Sequence, residues 1–325
     1  MKAYWRFLVA WRLPGRLRRD RIRVRRSGAL LSAVCASLLA TPAAAALRVM
    51  ACEPEWGALV RELAGERAEV FVATGPLQDP HRIQARPSLV ARARNADLLA
   101  CTGAGMEDGW LPILLQQSAN AKIQPGRPGN FSAAEHVQLL DAPPRLDRSE
   151  GDVHPEGNPH LHLDPRNLAR IAGALAKRLA VLDPDGRGEY ERRHADFAAR
   201  WGAALARWQA QAAPLAGVPV VVQHQSWPYL SAWLSLRQVQ TLEPKPGVEP
   251  SASHLRQVLA TLQSAPARMV LVATYQDPRA AHWLAERTGL PVVTLPFTVG
   301  ATPAASDLFG LFDDTVARLL QGAGR

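Results

Sequence analysis

The stretch that decides the architecture is EYERRHADFAARWGAALARWQAQAA, residues 189–213. Its large apolar side chains recur every three, four or seven residues, which keeps them on one face of a helix; they are Tyr190, Phe197, Trp201, Leu205 and Trp208. A helix of this length would measure about 37 Å, more than the width of one small lobe. The segment therefore predicts a stiff connector between two lobes, although a surface helix packed on one lobe would have the same pattern.

Short runs rich in Val and Leu alternate with helical patterns on both sides of this segment, which is typical of parallel βα units. The predicted strands cover residues 48–51, 70–73, 98–101 and 137–140 before it, and 218–222, 239–242, 269–273 and 292–295 after it. The predicted helices between them cover residues 56–63, 87–95, 110–118, 228–234, 253–263 and 278–288, and a closing helix covers 307–320. We expect an α/β protein with two similar lobes, each with a parallel sheet, joined by a single long rigid helix.

The first 46 residues have the pattern of an export signal. An Arg-rich stretch that ends at Arg26 precedes an uncharged run at 28–40 and the small-residue sequence TPAAAA at 41–46. The apolar run is too short for a bilayer, which needs about 20 residues. We predict a cleaved signal peptide at 1–46, a lobe at 47–188, the linker helix at 189–213 and a second lobe at 214–325.

The net charge of +9 belongs to this leader. Residues 1–46 hold ten of the 38 Lys and Arg residues but only one of the 29 acidic residues, Asp20. The other 279 residues carry 28 basic and 28 acidic side chains. The balanced mature chain gives no electrostatic case for a nucleic-acid partner.

Two cysteines remain after the leader, Cys52 and Cys101, and each ends a strand-like apolar run. In an oxidising compartment, neighbouring strands would bring the thiols close enough to consider a disulfide. Parallel register often orients such pairs badly, and two small buried side chains explain them equally well. The sequence leaves the pairing open.

Five of the nine histidines lie in turn-rich segments near predicted strand ends, where open α/β sheets bind their ligands. They are His81, His154, His160, His162 and His224. The last belongs to the second lobe and the others to the first, so a shared ligand would lie between the lobes. Neutral imidazoles suit zinc, copper or nickel better than magnesium or calcium.

Three motifs contain these histidines: DPH at 79–81 with RPS at 86–88 and NADL at 95–98, GNPH at 157–160 with LDP at 163–165, and VQHQSW at 222–227 with YL at 229–230. A fourth motif, EPKPGVEPS, occupies 243–251. In this order, over nearly all of the mature chain, they resemble segments of the zinc and manganese solute-binding proteins of bacterial ABC transporters.

The resemblance implies a monomeric periplasmic receptor, not an enzyme, that delivers a metal ion to an ABC permease and its ATPase for uptake. It implies that His81, His160 and His224 are three of the metal ligands.

The fourth ligand stays open at this point. Water is the first choice, and the alternatives are His162, His154, Glu53 and Asp277. The most interesting of these is His162, because it replaces an aromatic residue usual in relatives. A structural histidine beside His160 explains it at least as well.

The sequence departs from the family pattern where many relatives, particularly manganese binders, carry carboxylates. The segments VVTLPFT at 292–298 and ATY at 273–275 contain no acidic residue. Manganese favours oxygen donors, so the predicted cargo is Zn²⁺, with manganese or another divalent metal as the alternative.

A different class of protein, a periplasmic zinc-dependent hydrolase, would also use three histidines and a water. The sequence has no HExxH motif and no G-x-S-x-G nucleophile elbow. A third interpretation is a metallochaperone or a protein that binds a small metal chelate.

Overall fold

The computed structural model describes residues 46–143, 151 and 154–324. The predicted signal peptide lies outside the described residues except for Ala46. The described chain forms two α/β lobes, each built on a four-stranded parallel sheet, and the predicted fold class is confirmed. Among the described residues, no helix combines the length and the apolar composition that crossing a bilayer requires.

The strands of the first lobe are β1 (Leu47–Ala51), β2 (Ala68–Val72), β3 (Leu98–Cys101) and β4 (Asn130–Ser132). The connecting helices are α1 (Pro54–Ala64), α2 (Pro87–Asn95) and α3 (Leu111–Ser118). The spatial order is β2-β1-β3-β4. The connections that follow β1 and β3 therefore run toward opposite edges of the sheet, which opens a crevice between the carboxyl ends of these two strands.

Two helices follow the strands of the first lobe, α4 (Pro165–Leu182) and α5 (Arg187–Ala212). Helix α4 was not predicted, although its start is marked by an Asp-Pro pair and the Asp164 side chain accepts from the Arg166 N–H. Helix α5 corresponds to the predicted connector. Its 26 residues give it a length of about 39 Å.

The second lobe repeats the plan of the first. Its strands are β5 (Pro219–Val222), β6 (Arg237–Thr241), β7 (Met269–Ala273) and β8 (Val292–Leu295). Its helices are α6 (Pro228–Leu234), α7 (Ala252–Ser264), α8 (Arg279–Thr288) and α9 (Leu308–Gly322). The order β6-β5-β7-β8 places the corresponding crevice at the carboxyl ends of β5 and β7.

The apolar face of α5 packs against both lobes. Trp201 and Trp208 lie edge-on to each other at 5.1 Å, and both contact Phe312 of α9. Their indole N–H groups donate to the Pro165 carbonyl of α4 at 2.8 Å and to Asp313 of α9 at 2.6 Å. Because these buried aromatic side chains also find polar partners, α5 fixes the two lobes to one continuous core.

The predicted strand at 137–140 is wrong. The fourth strand of the first lobe is Asn130–Ser132, in which Phe131 is the single apolar residue, so no apolar run marks it. The segment 137–140 is only half-buried, and the Leu140 N–H donates to the Tyr229 hydroxyl at 3.0 Å instead of joining the sheet.

A disulfide joins Cys52 to Cys101 at the carboxyl ends of β1 and β3. Their Cα atoms are 4.8 Å apart, close to the spacing of neighbouring strands. Both residues are buried, and the bond spans a sequence separation of 49 residues. The pairing that the sequence left open is therefore present in the structure.

Two buried carboxyls, Glu53 and Glu107, interact beside this disulfide. Glu107 accepts from the N–H groups of Thr102 at 2.7 Å and Gly103 at 3.0 Å. Glu53 accepts from the Thr102 hydroxyl at 3.0 Å, which in turn accepts from the Trp56 indole N–H. Burial raises the pKa of Glu107 to about 7, and burial together with repulsion from Glu107 raises the pKa of Glu53 well above its ordinary value.

We expect the disulfide to contribute about 4 kcal/mol to the free energy of unfolding, because it closes a long loop in the unfolded chain. The double variant Cys52→Ala/Cys101→Ala should lose most of that amount in guanidinium denaturation. In dithiothreitol, the wild type should unfold at nearly the same denaturant concentration as the variant. A wild-type midpoint that does not respond to reductant would contradict this role.

The acid pair should make the protein less stable as the pH rises. A carboxyl whose pKa is raised on folding favours the folded state below its ordinary pKa, and this contribution is lost as the pH rises through about 7 for Glu107. Glu53→Gln supplies a permanent amide donor beside Glu107, so its unfolding free energy should fall less between pH 5 and pH 8 than that of the wild type. Exposed Glu66→Gln is the control, and an unchanged pH slope in Glu53→Gln would argue against the pair.

Candidate metal-binding site

Three histidines lie in loops and one-turn 3-10 helices between the regular helices and strands. His81 lies in a one-turn 3-10 helix, Pro80–Arg82, whose start is fixed by Asp79 accepting from the His81 N–H at 3.0 Å. His160 directly precedes the 3-10 helix Leu161–Leu163. His224 lies two residues beyond the end of β5.

The structure brings these three side chains together. One ring nitrogen from each of His81, His160 and His224 lies within 4.8 Å of the other two. Zinc–nitrogen bonds of about 2.0–2.1 Å in tetrahedral geometry imply nitrogen separations of roughly 3.4 Å. Small side-chain rotations therefore suffice to close the three nitrogens around one ion.

Hydrogen bonds to the opposite ring nitrogen orient two of the imidazoles. The Nδ1 of His224 lies 2.6 Å from Glu243, and the Nδ1 of His160 lies 2.8 Å from the Asn158 side-chain oxygen. A proton on each Nδ1 leaves the Nε2 lone pair available, which is the usual arrangement around metal-binding histidines. The His160 Nε2 is buried and has no hydrogen-bond partner.

The environment keeps His160 neutral. Burial, followed by the nearby imidazoles of His224 and His81, lowers the pKa of His160 well below its ordinary value. A neutral imidazole can donate its lone pair to a metal ion without first losing a proton.

The structure does not bring His162 into this cluster. Its Nε2 donates to the Phe297 carbonyl at 2.9 Å, and its Nδ1 lies 3.4 Å from Glu55, with both side chains fully buried. His162 therefore bridges to the second lobe and lies outside the three-histidine cluster.

The other candidate fourth ligands also lie outside the nitrogen cluster. The ring of His154 stacks on His81 at 5.0 Å between centroids. Glu53 is held by Thr102 in the acid pair. Asp277 pairs with Arg279 at 2.5 Å.

Two residues of the site were not anticipated from the sequence, Glu243 and Asn158. Each orients a histidine. Asn158 lies in the GNPH motif at 157–160, and Glu243 begins the EPKPGVEPS motif at 243–251. Asn158 could have been found from its position two residues before His160, because metal-binding imidazoles commonly carry an oxygen partner on the second nitrogen. Glu243 is 19 residues from His224, so no local signal in the sequence marked that pair.

Several known proteins are similar to this chain in sequence or in structure. A family model described as zinc-uptake complex component A, periplasmic (ZnuA), matches residues 49–322. The zinc-binding lipoprotein AdcA of Streptococcus pneumoniae is 25% identical over 205 residues, which cover 61% of this chain and 39% of AdcA. This chain thus spans about two fifths of that longer relative. Proteins named for manganese also match.

Two further similarities extend over most of the chain. The high-affinity zinc uptake system protein ZnuA of Paracoccus denitrificans is 24% identical over 336 aligned positions, covering 92% of this chain and 97% of that protein. A crystal structure of ZnuA is 26% identical and superposes with a TM-score of 0.70, covering 86% of this chain and 98% of that one. Since the family model matches most of the sequence and the solved structure shares its two-lobed fold, the resemblance is confirmed and the chain belongs to the ZnuA family of zinc-uptake complex components.

Proposed function

We propose that this protein is a periplasmic receptor that binds Zn²⁺ through His81, His160 and His224 and delivers it to an ABC permease and its ATPase for uptake. The observation that carries the proposal is the meeting of three imidazole nitrogens within 4.8 Å of one another in the cleft. Two of these side chains come from the first lobe and one from the second. The three ligands can therefore meet only if the lobes keep their relative position.

The donor set supports zinc over manganese. All three candidate ligands are neutral nitrogen donors, whereas manganese favours carboxylate and water oxygens. Among the described residues, the cluster includes no carboxylate oxygen. One relative named for zinc binding and one named for zinc uptake support the same choice for this chain.

A receptor also fits better than a zinc-dependent hydrolase. The Paracoccus denitrificans relative that aligns with nearly the whole chain is named as an uptake protein. The buried carboxyls Glu53 and Glu107 are bound to Thr102 and Gly103, and neither belongs to the histidine cluster.

We propose that zinc delivery depends on the division of the three histidine ligands between the two lobes. We propose that residues 1–46 direct export and are removed, and that a monomer with lobes at 47–188 and 214–325 and a linker at 189–213 remains. Contact with the permease would move one lobe relative to the other. Such a movement separates His224 from His81 and His160, which lowers zinc affinity at the point of transfer.

We expect His224→Ala to weaken zinc binding about tenfold or more, because it removes one of three protein donors. Titration calorimetry on the exported, untagged protein measures the change. His282→Ala is the matched control, since His282 is an exposed histidine of the same lobe. Equal zinc affinities for wild type and His224→Ala would remove His224 from the site.

Glu243 should tune zinc affinity through His224. Glu243→Ala removes the partner of Nδ1 and should lower affinity about tenfold to a hundredfold. Glu243→Gln keeps an oxygen acceptor but loses the negative charge. The zinc affinity of this variant should therefore lie between those of the wild type and Glu243→Ala. Competition with a fluorescent chelator measures the zinc affinity of both variants. Glu286→Ala, at an exposed position, is the control. A Glu243→Ala protein that competes for zinc as well as the wild type would show that Glu243 does not act on the site.

A further inference from the structure

A set of buried polar contacts joins the two lobes next to the histidine cluster. The Thr298 hydroxyl, in the segment that follows β8, donates to the Glu55 carboxyl in the first turn of α1. The His162 Nε2 donates to the Phe297 carbonyl at 2.9 Å. All four side chains are buried, so both contacts lie away from solvent. We call these four residues the interlobe bridge.

Glu55 is the central residue of the interlobe bridge. A carbonyl oxygen only accepts, so the His162 Nε2 carries the proton that it donates to Phe297. The His162 Nδ1 lies 3.4 Å from the other Glu55 oxygen, and among the described residues neither atom has another hydrogen-bond partner. A proton between these two atoms joins Glu55 to His162, while the Thr298 hydroxyl joins it to the second lobe.

The interlobe bridge lies directly behind one of the metal ligands. His162 follows His160 by two residues, and the Phe297 ring packs edge-on against the His160 ring at 5.6 Å. A shift of the second lobe would move His224, which belongs to that lobe, and would also disturb the packing of His160. The bridge and the histidine cluster therefore respond to the same displacement.

A bound ion would tolerate little of this displacement. Zinc–nitrogen bonds keep close to 2.0–2.1 Å, so a lobe shift of about 1 Å would break the bond to His224. The interlobe bridge resists such a shift, because its polar groups would lose their partners while still buried. It therefore favours the zinc-binding arrangement before the ion arrives, which raises the fraction of the empty protein that is ready to bind.

We propose that Glu55 is a positioning residue that, through Thr298 and His162, holds the lobes in the zinc-binding arrangement and limits the rate at which zinc leaves. The interlobe bridge must open before His224 can move away from the ligands of the first lobe. Zinc in turn stabilises the bridge, because coupling between two sites is reciprocal. This inference rests on the proposed zinc-binding function.

Thr298→Val keeps the shape of the side chain but removes the hydroxyl that donates to Glu55. Zinc dissociation into excess chelator, followed by stopped flow, should be about tenfold faster than in the wild type, and zinc affinity should fall by a similar factor. Thr298→Ser restores the hydroxyl and should return the rate to near the wild-type value. Thr315→Val is the matched control, because this buried threonine of the same lobe donates to Leu311 within α9. It should leave zinc dissociation unchanged even where it lowers the unfolding temperature.

Two substitutions of Glu55 test the same contact from the first lobe. In Glu55→Gln, the amide can accept from the Thr298 hydroxyl and donate to the His162 Nδ1, so zinc dissociation should stay close to the wild-type rate. Glu55→Leu offers neither contact and should release zinc about tenfold faster. Equal dissociation rates for Glu55→Leu and the wild type would show that Glu55 does not position the lobes.

Hydrogen exchange of the wild type tests the inference without any substitution, and so covers variants that do not fold. The amides of Gly300 and Ala301 bond within the segment that follows Thr298. Because the coupling is reciprocal, saturating zinc should slow exchange in residues 297–301 about fivefold or more, and should slow it less around Thr315 in α9.

The inference and the receptor proposal fail in different ways. Zinc-independent exchange in residues 297–301, or wild-type zinc dissociation in folded Thr298→Val, would overturn the positioning role of Glu55 and leave the receptor proposal standing. A wild-type protein that binds no zinc would instead overturn the receptor proposal itself.

Discussion

The proposed metal site depends on a buried bridge between the lobes. His162 of the first lobe donates to the Phe297 carbonyl of the second, and the Thr298 hydroxyl donates to Glu55 at the start of α1. All four residues are at most 5% exposed. A displacement too small to admit water would leave these polar groups buried without partners, at a cost of about 1–3 kcal/mol each. This penalty keeps the carboxyl ends of the two sheets facing each other, which is the condition for imidazoles from both lobes to meet.

The same bridge reaches the metal ligands through an aromatic side chain. The Phe297 ring lies edge-on to His160 at 5.6 Å and to His162 at 5.0 Å, and it also contacts Tyr275 after β7. A segment of the second lobe therefore packs against a ligand of the first. A displacement of the second lobe would withdraw both His224 and the support of His160, so that binding and release become two positions of one interface. The covalent link provided by α5 keeps that displacement small, because its aromatic face is packed against both lobes.

The fold could be predicted from the sequence where a local pattern determines the structure. Buried parallel strands such as β3 and β7 read as continuous apolar runs, and their positions agreed with the prediction. The edge strand β4 could not be found, because a single Phe131 between Asn and Ser leaves no run to detect. The position in turn-rich segments pointed to five histidines, and the resemblance of the DPH, GNPH and VQHQSW motifs selected His81, His160 and His224 among them. The orientation of His162 was not accessible, since its partners Glu55 and Phe297 are far away in the sequence.

The charges around the histidine cluster determine how the charge of a bound zinc ion would be balanced. Three neutral imidazoles leave the two positive charges of a zinc ion uncompensated, which is unfavourable in a buried position unless anionic groups lie close by. The Glu243 carboxylate supplies one negative charge indirectly, through its hydrogen bond to His224. The carboxylates of Asp79 and Glu249 line the same pocket as His81 and His224 and face the remaining charge. A carboxylate ligand would instead neutralise that charge by direct coordination. Because 273–275 and 292–298 contain no acidic residue, the charge balance at this site rests on carboxylates outside the histidine cluster.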